Sequence, residues 1–391
     1  VPAISLTITA DGRTLFDEPR RGIAKTTIAL YRELAVIRPA WRFRVFYAEG
    51  TQPNPFADLP NVSCERLRMK GDRFDLWPRV RLPLANLVAR PQLFHAPAGV
   101  APRFPCAPLV TTVHDLIPLE VGRTDAPARA WAANIIRAAR RARAIIAPSE
   151  FSKGRVVYHC GVDPAKVHVV PWASTAGPPT ATADEIAAAR ARYGVPAGGR
   201  YVLHFGMADP RKNTAGVLGA WAKLPATVRA GARLVVVGVS DTARADFTAR
   251  WHEFACGSEL LEGTVGIFGY APEADVDALL AGAAVLAYPT TYEGFGLPIL
   301  DGFAAGVPVL TGDATSLPEV AGDAALCVDA ADPAALAAGL ARLLQHESAR
   351  ADYRRRGEER AAAFTWRRTA ELTARVWEWS SSGVTPAPDG P

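Results

Sequence analysis

Short apolar runs rich in β-branched residues recur along the chain. Each is followed by a polar or glycine-containing turn and then by a longer stretch with apolar residues at helical spacing. In the first half Ile4–Ile8, Arg44–Tyr47, Leu109–Val113, Ala144–Ala147 and Val167–Val170 read as strands, and Gly22 to Val36 reads as a helix. Strands that alternate with helices imply parallel sheets covered on both faces. Between Pro171 and Gly199 the pattern breaks. Pro171, Gly177, Pro178, Pro179 and Thr180 form a linker, and an Ala-rich helix from about Asp184 to Tyr193 follows, which puts a domain boundary near Pro178. The alternation then restarts with Tyr201–Phe205, Arg233–Val237, Val265–Phe268, Ala284–Tyr288, Val307–Thr311 and Ala325–Val328. Trp366 to Trp379 is a last amphipathic helix, and residues 381–391 have the composition of a disordered tail.

The expected fold class is therefore α/β, with two Rossmann-like doubly wound domains facing across a cleft. Residues 1–178 and 179–365 form the domains, and residues 366–380 form a closing helix. Ligands of open α/β sheets bind beyond the carboxyl ends of strands, so the chemistry is expected in the loops that follow them.

Composition changes this picture little. The chain has 391 residues, enough for two domains, with 49% hydrophobic and 21% charged residues. The formal charge is 44 − 39 = +5. This mild basicity suits an anionic ligand or a membrane surface and is too weak to argue for nucleic acid. Five cysteines, Cys64, Cys106, Cys160, Cys256 and Cys327, stand singly, which fits neither a disulfide scaffold nor a zinc ribbon and points to a reducing compartment. The first residues carry no basic flank with an apolar run, so no signal peptide is predicted. No window approaches the ~18 apolar residues of a spanning helix. Arg137, Arg140, Arg141 and Arg143, with Arg129 nearby, form a basic run. It reads as a solvated helix face or as a surface drawn to anionic lipid, so the expected location is cytoplasmic with a peripheral membrane contact left open.

The segment Tyr292–Asp301 is richest in chemistry. A strand ends at Tyr288, a loop carries Glu293, Gly294 and Gly296, and Pro298 suits the first turn of a helix. Glycines let a ligand approach the backbone, and a helix start presents N–H groups and a positive dipole end to an anion. A carboxylate beside a phosphate site makes sense if it grips sugar hydroxyls. Asp209-Pro-Arg211-Lys212-Asn213 places two cations at another strand-to-helix turn, which fits a diphosphate leaving group. His114 and Asp115 follow the strand Leu109–Val113, where a His can bond substrate or shuttle a proton. Gly22 and Lys25 lie at the first strand-to-helix turn, Ser149 reads as a helix cap, and Glu319 reads as a helix-start residue or a nucleotide contact. No D-x-D-like pair stands at a strand end to hold a metal, and no P-loop run is present.

Glu293-Gly-Phe-Gly-Leu-Pro298 with an acid at Asp301 resembles the signature of family 4 glycosyltransferases, which have the GT-B fold. Asp209–Asn213, Val113–Leu116, Ser149–Lys153, Pro308–Leu310, Ser316–Val320, Gly322–Ala325 and Phe364–Trp366 stand in the expected order, so the resemblance covers most of the chain. It implies a retaining, metal-independent glycosyltransferase with no cofactor, taking a hexose from a nucleotide diphosphate sugar to a saccharide or lipid-linked acceptor, with mannosyl transfer from GDP-mannose as the favoured donor reading. His114, Glu293, Arg211 and Lys212 would act at the reacting centre. Gly22, Asp115, Gly206, Gly294, Phe295, Gly296, Leu297 and Asp301 would bind the donor. The family usually has Glu where this chain has Asp301, and some relatives have Arg where it has Met207. Two rivals stay open, a sugar phosphorylase on the same fold and a non-catalytic nucleotide-sugar-binding subunit.

Overall fold

The computed structural model describes residues 5–17, 22–68, 77–122, 125–177, 180–255 and 263–382. Ile4, Arg21, Pro178, Pro179, Cys256 and the tail from residue 383 lie outside the described residues. The chain forms two compact units, Val1–Thr175 with Phe364–Pro391, and Ala176–Ala363.

The first unit is built on a seven-stranded sheet of order β3-β2-β1-β4-β5-β6-β7. Its strands are β1 (Thr7–Asp11), β2 (Arg42–Tyr47), β3 (Val62–Arg66), β4 (Leu93–Ala96), β5 (Leu109–Thr112), β6 (Ala144–Ala147) and β7 (Val167–Val169). The second unit has a six-stranded sheet of order β10-β9-β8-β11-β12-β13. These are β8 (Arg200–Phe205), β9 (Ala232–Val237), β10 (Val265–Ile267), β11 (Val285–Tyr288), β12 (Val309–Gly312) and β13 (Leu326–Val328). All pairings are parallel. Each unit is thus an α/β layer of the expected doubly wound kind.

Parallel strands covered on both faces lose the in-out alternation of side chains. Every residue of β4, β5, β6, β11 and β12 is buried. Around them pack Phe46, Trp77 and Phe94 in the first unit and Trp221, Leu234 and Trp251 in the second. The same physics displaced one expectation. The first strand is Thr7–Asp11, not Ile4–Ile8. The polar Thr9 and Asp11 belong to it because β1 lies between β2 and β4, where backbone pairing on both sides outweighs side-chain polarity. Asp11 is tolerated there because Arg13 forks onto it, with Nε 3.0 Å from both carboxylate oxygens.

The closing helix runs Trp366–Ser382, past the expected end and into the segment expected as tail. It belongs to the first unit. Trp366 Nε1 donates to Ser174 O at 2.8 Å, Thr369 Oγ1 donates to Pro171 O at 2.7 Å, and Arg38 Nε meets Glu378 at 3.0 Å. Its fully buried Trp377 rests against Tyr31, Trp41 and His95. Under it, His95 takes Tyr31 Oη and Thr112 Oγ1 as partners, each at 2.9 Å. Burial, with the nearby His114, pushes His95 down to about 3, so the ring is neutral.

Candidate functional site

In each sheet the strand order reverses at one place, and such a reversal opens a crevice at the carboxyl ends of the two strands flanking it. In the second unit the reversal falls between β8 and β11, whose neighbours are Val202–Val285 and Leu203–Leu286. The loop after β8 carries Arg211 and Lys212, and the loop after β11 carries Glu293. Two motifs some eighty residues apart in sequence are side by side for this topological reason.

The β8 loop is held by its own polar side chains. Asp209 caps the turn Pro210–Lys212 by accepting from Arg211 N at 3.0 Å. Asn213 follows with φ 56°, a left-handed conformation that Asn tolerates. Its Nδ2 donates to Pro289 O at 3.2 Å and Ala330 O at 2.6 Å, which ties the turn to the loops after β11 and β13. Gly206 has a packing reason to be glycine. A Cβ there would lie 2.6 Å from Val236 Cγ1 and 2.9 Å from Val239 Cγ2. Beneath the loop His204 is buried between Ala287 O and Thr214 Oγ1, at 2.9 and 3.1 Å. Burial, reinforced by the charge of Lys212, pushes it down to about 4.

At the centre Lys212 Nζ donates to Glu293 Oε1 at 2.7 Å and to Tyr288 Oη at 2.8 Å, and Tyr288 Oη donates to Glu293 Oε1 at 2.8 Å. All three sit on strand ends or rigid turns, and Lys212 and Glu293 keep only 16% and 13% of their side chains exposed. Arg211 is differently engaged from its neighbour. Its Nη2 meets Asp209 Oδ2 at 2.6 Å and its Nη1 donates to Tyr292 O at 3.0 Å, while its own carbonyl accepts from Thr291 N at 2.8 Å. Arg211 therefore braces the β11 loop, and Lys212 is the cation in contact with the Glu293 carboxylate.

The Glu293–Gly296 loop leads into the helix Leu297–Ala304, with Gly296 at φ 109° as its cap and Pro298 in the first turn. That backbone angle suits glycine. Ser316, fully buried, lies 2.9 Å from both the Glu293 and Phe295 carbonyls and shares its one proton between them. Glu293 N donates to Thr315 Oγ1 at 3.3 Å, and Thr315 itself holds φ 63°. A β-branched residue in that region is strained, and strain of this kind collects at sites that need fixed geometry. Asp301 stands one turn into the helix and accepts from Ala176 N at 3.4 Å. Gly294, Phe295, Gly296, Leu297 and Asp301 thus lie in one loop-and-helix segment with Glu293.

Gly22, His114 and Asp115 belong to the first unit. Its sheet order reverses between β1 and β4. Gly22 opens the helix Gly22–Ile37 that follows β1, and a Cβ there would meet nothing within 4 Å, so packing does not require the glycine. His114 follows β5, and its Nε2 donates to Pro97 O, at the end of β4, at 2.8 Å. Trp172 flanks the ring at 5.6 Å between centroids. Burial pushes the imidazole down to about 4. With Nε2–H on a carbonyl and the ring neutral, Nδ1 presents a lone pair. His114 is therefore suited to accept a hydrogen bond. Asp115 Oδ1 accepts from Ile117 N at 3.1 Å and fixes the turn that follows. Ser149 caps the helix Glu150–Cys160, as its sequence context predicts.

Sequence reasoning missed Tyr288, Thr315 and Ser316 as parts of this site. Tyr288 reads as an ordinary buried strand residue, and only the pairing of β8 with β11 reveals its partners. Ser316 stood in view inside Ser316–Val320, but a hydroxyl that clamps a distant loop has no local signature. The basic run also finds partners of another kind. Arg140 Nε donates to Cys160 O at 2.8 Å, while Arg141 and Arg143 cover the rings of Phe104 and Trp379 at 5.7 and 5.6 Å.

Comparisons with known proteins identify glycosyltransferase domains along the chain. The Glycosyltransferase Family 4 profile matches residues 20–173, and the Glycosyl transferases group 1 profile matches residues 185–360. The O-antigen chain mannosyltransferase B of Escherichia coli is 28% identical over 178 residues, 46% of this chain and 45% of that protein. The chain thus spans less than half the length of that curated relative. Among solved structures, Anabaena HepE in complex with UDP and glucose superposes with a TM-score of 0.74 at 18% identity, over 96% of this chain and 100% of that one. WaaG, a glycosyltransferase involved in lipopolysaccharide biosynthesis, gives 0.72 at 17% identity, over 97% and 100%. The fold is GT-B.

Proposed function

We propose that the chain, which matches the family 4 glycosyltransferase profile over residues 20–173 and the group 1 profile over residues 185–360, transfers a hexose from a nucleotide diphosphate sugar to a hydroxyl of a saccharide or lipid-linked saccharide, without a metal and with retention of anomeric configuration. The observation that carries the proposal is the Lys212–Tyr288–Glu293 cluster at the β8/β11 reversal, beside the Gly296-capped helix start.

In this reading Lys212 and the N–H groups at the start of the helix Leu297–Ala304 hold the diphosphate. Glu293 accepts bonds from hydroxyls of the sugar, and Asp301 faces the nucleotide. In the first unit, His114 offers a hydrogen-bond acceptor at Nδ1. The bond from the anomeric carbon to the diphosphate oxygen breaks, and a bond from that carbon to the acceptor oxygen forms. The acceptor's proton passes to the departing diphosphate, whose growing charge Lys212 offsets. No side chain has to serve as nucleophile.

GDP-mannose is the favoured donor. The mannosyltransferase relative supports it, and the UDP in the Anabaena structure makes UDP-sugars the competing reading. A thermal-shift panel of GDP- and UDP-sugars decides between them, because a ligand of the native state raises the melting temperature by mass action. A shift with GDP-mannose alone supports the choice, and a shift confined to UDP-sugars overturns it.

Contact with an anionic membrane surface belongs to the same proposal, on a different surface from the basic run. Val80, Leu84, Leu87 and Val88 lie exposed along one face of Trp77–Ala89, with exposed Arg81 and Arg90 beside them. An apolar stripe edged with arginine suits a lipid interface. Leu87→Glu with Val88→Glu should abolish co-sedimentation with vesicles containing phosphatidylglycerol. Unchanged binding would show that this face does not contact the membrane.

A further inference from the structure

Tyr288 is fully buried at the end of β11, yet its hydroxyl touches both Lys212 and Glu293. It accepts from the ammonium and donates to Glu293 Oε1. The Lys212 Nζ also lies 5.0 Å from the centre of its ring. Burial first, and then the negative charge of Glu293, push the phenol well above its ordinary value, so it keeps its proton and remains a donor.

A diphosphate at Lys212 competes with Glu293 for the same ammonium. A carboxylate held by Lys212 alone would lose its anchor at the moment the donor arrives. A carboxylate held also by a buried phenol would not. Both donors converge on Oε1, which leaves Oε2 as the atom for a sugar hydroxyl.

We propose that Tyr288 is a positioning residue for the donor sugar, holding Glu293 Oε1 fixed while Lys212 turns to the diphosphate. This rests on the reading of the cluster as a donor site. It adds a role for a residue that makes no contact with substrate, and it separates recognition of the sugar from recognition of the diphosphate.

The test is calorimetric titration of the full chain with GDP, GDP-mannose, UDP and UDP-glucose, for wild type, Tyr288→Phe and Glu293→Gln. Phenylalanine keeps the ring that fills the buried space and removes only the hydroxyl. Tyr288→Phe should weaken binding of the preferred nucleotide sugar about tenfold, the usual order for a lost bond to a charged group, and leave the free nucleotide diphosphate within about twofold. The same substitution in the Glu293→Gln background should add little. Equal weakening of nucleotide and nucleotide sugar would make Tyr288 a structural residue and overturn the proposal, as would failure of Tyr288→Phe to fold. If Glu293→Gln loses the sugar increment and Tyr288→Phe keeps it, the Tyr288 role falls and the donor site stands. If wild type binds none of the four, both readings fall together.

Discussion

In the proposed reaction Lys212 is the residue on which the chemistry turns. Arg211 beside it is committed to Asp209 and to the Tyr292 carbonyl, so the two cations that look equivalent in sequence have different duties. Lys212→Ala should lower donor turnover by at least about a hundredfold, the scale of losing a charge that stabilises a leaving group. The melting temperature should stay close to wild type. Arg211→Ala should instead lower stability, since it releases the β11 loop. Turnover near wild type in Lys212→Ala would refute the leaving-group role. The buried histidines make a second prediction at this scale. The folded pKa values of His95 and His204, about 3 and about 4, lie below the unfolded value. As pH falls from about 6.5 toward 4, the unfolded chain takes up protons that the folded chain refuses. Each ring then removes up to about 1.4 kcal/mol of stability per pH unit. Thermal unfolding should therefore show a melting temperature that declines over that window. His114, also held near 4, should give the rate no inflection at pH 6.5. An inflection there that vanishes in His114→Asn would show a proton shuttle instead of a neutral acceptor.

The site depends on how loops are tied to strand ends. Asn213 joins three of them through Pro289 O and Ala330 O, from a left-handed backbone. Asn213→Ala should cost about 1–3 kcal/mol, from two buried carbonyls left without their donor and a less tolerated φ, read by urea denaturation. A cost near zero would mean the loops hold without it. Much of this level was legible in sequence. The strands with β-branched runs, the helix opening at Pro298 and the Ser149 cap all follow from local patterns. β3 and β4 did not. Val62–Arg66 mixes polar and charged residues along an outer strand, and Leu93–Ala96 is short and carries His95. Burial of that histidine is made acceptable by Tyr31 and Thr112, which are distant in sequence. The candidate site divides the same way. Glu293, Gly296 and Lys212 announce themselves through motif and turn chemistry, whereas Tyr288 and Ser316 acquire meaning only where two loops meet.

At the scale of the whole chain, each unit repeats one plan, a parallel sheet whose order reverses once and whose candidate residues follow the strands near that reversal. The chain leaves the first unit at Thr175 and rejoins it at Phe364. The Trp366–Ser382 helix therefore completes the core around Tyr31, Trp41 and His95. Trp377→Ala should destabilise the first unit by about 3–5 kcal/mol, the cost of emptying a large buried site. Because the second unit has its own core, its part of the unfolding transition should move little. The proposed reaction is glycosyl transfer from a nucleotide diphosphate sugar. Its most direct test is the release of nucleoside diphosphate from a panel of GDP- and UDP-sugars by wild type, Lys212→Ala and Glu293→Ala. Wild type should release nucleoside diphosphate from at least one donor, and both variants should stay near background. Wild-type release from none of them, or equal release by all three proteins, would contradict the proposed transfer.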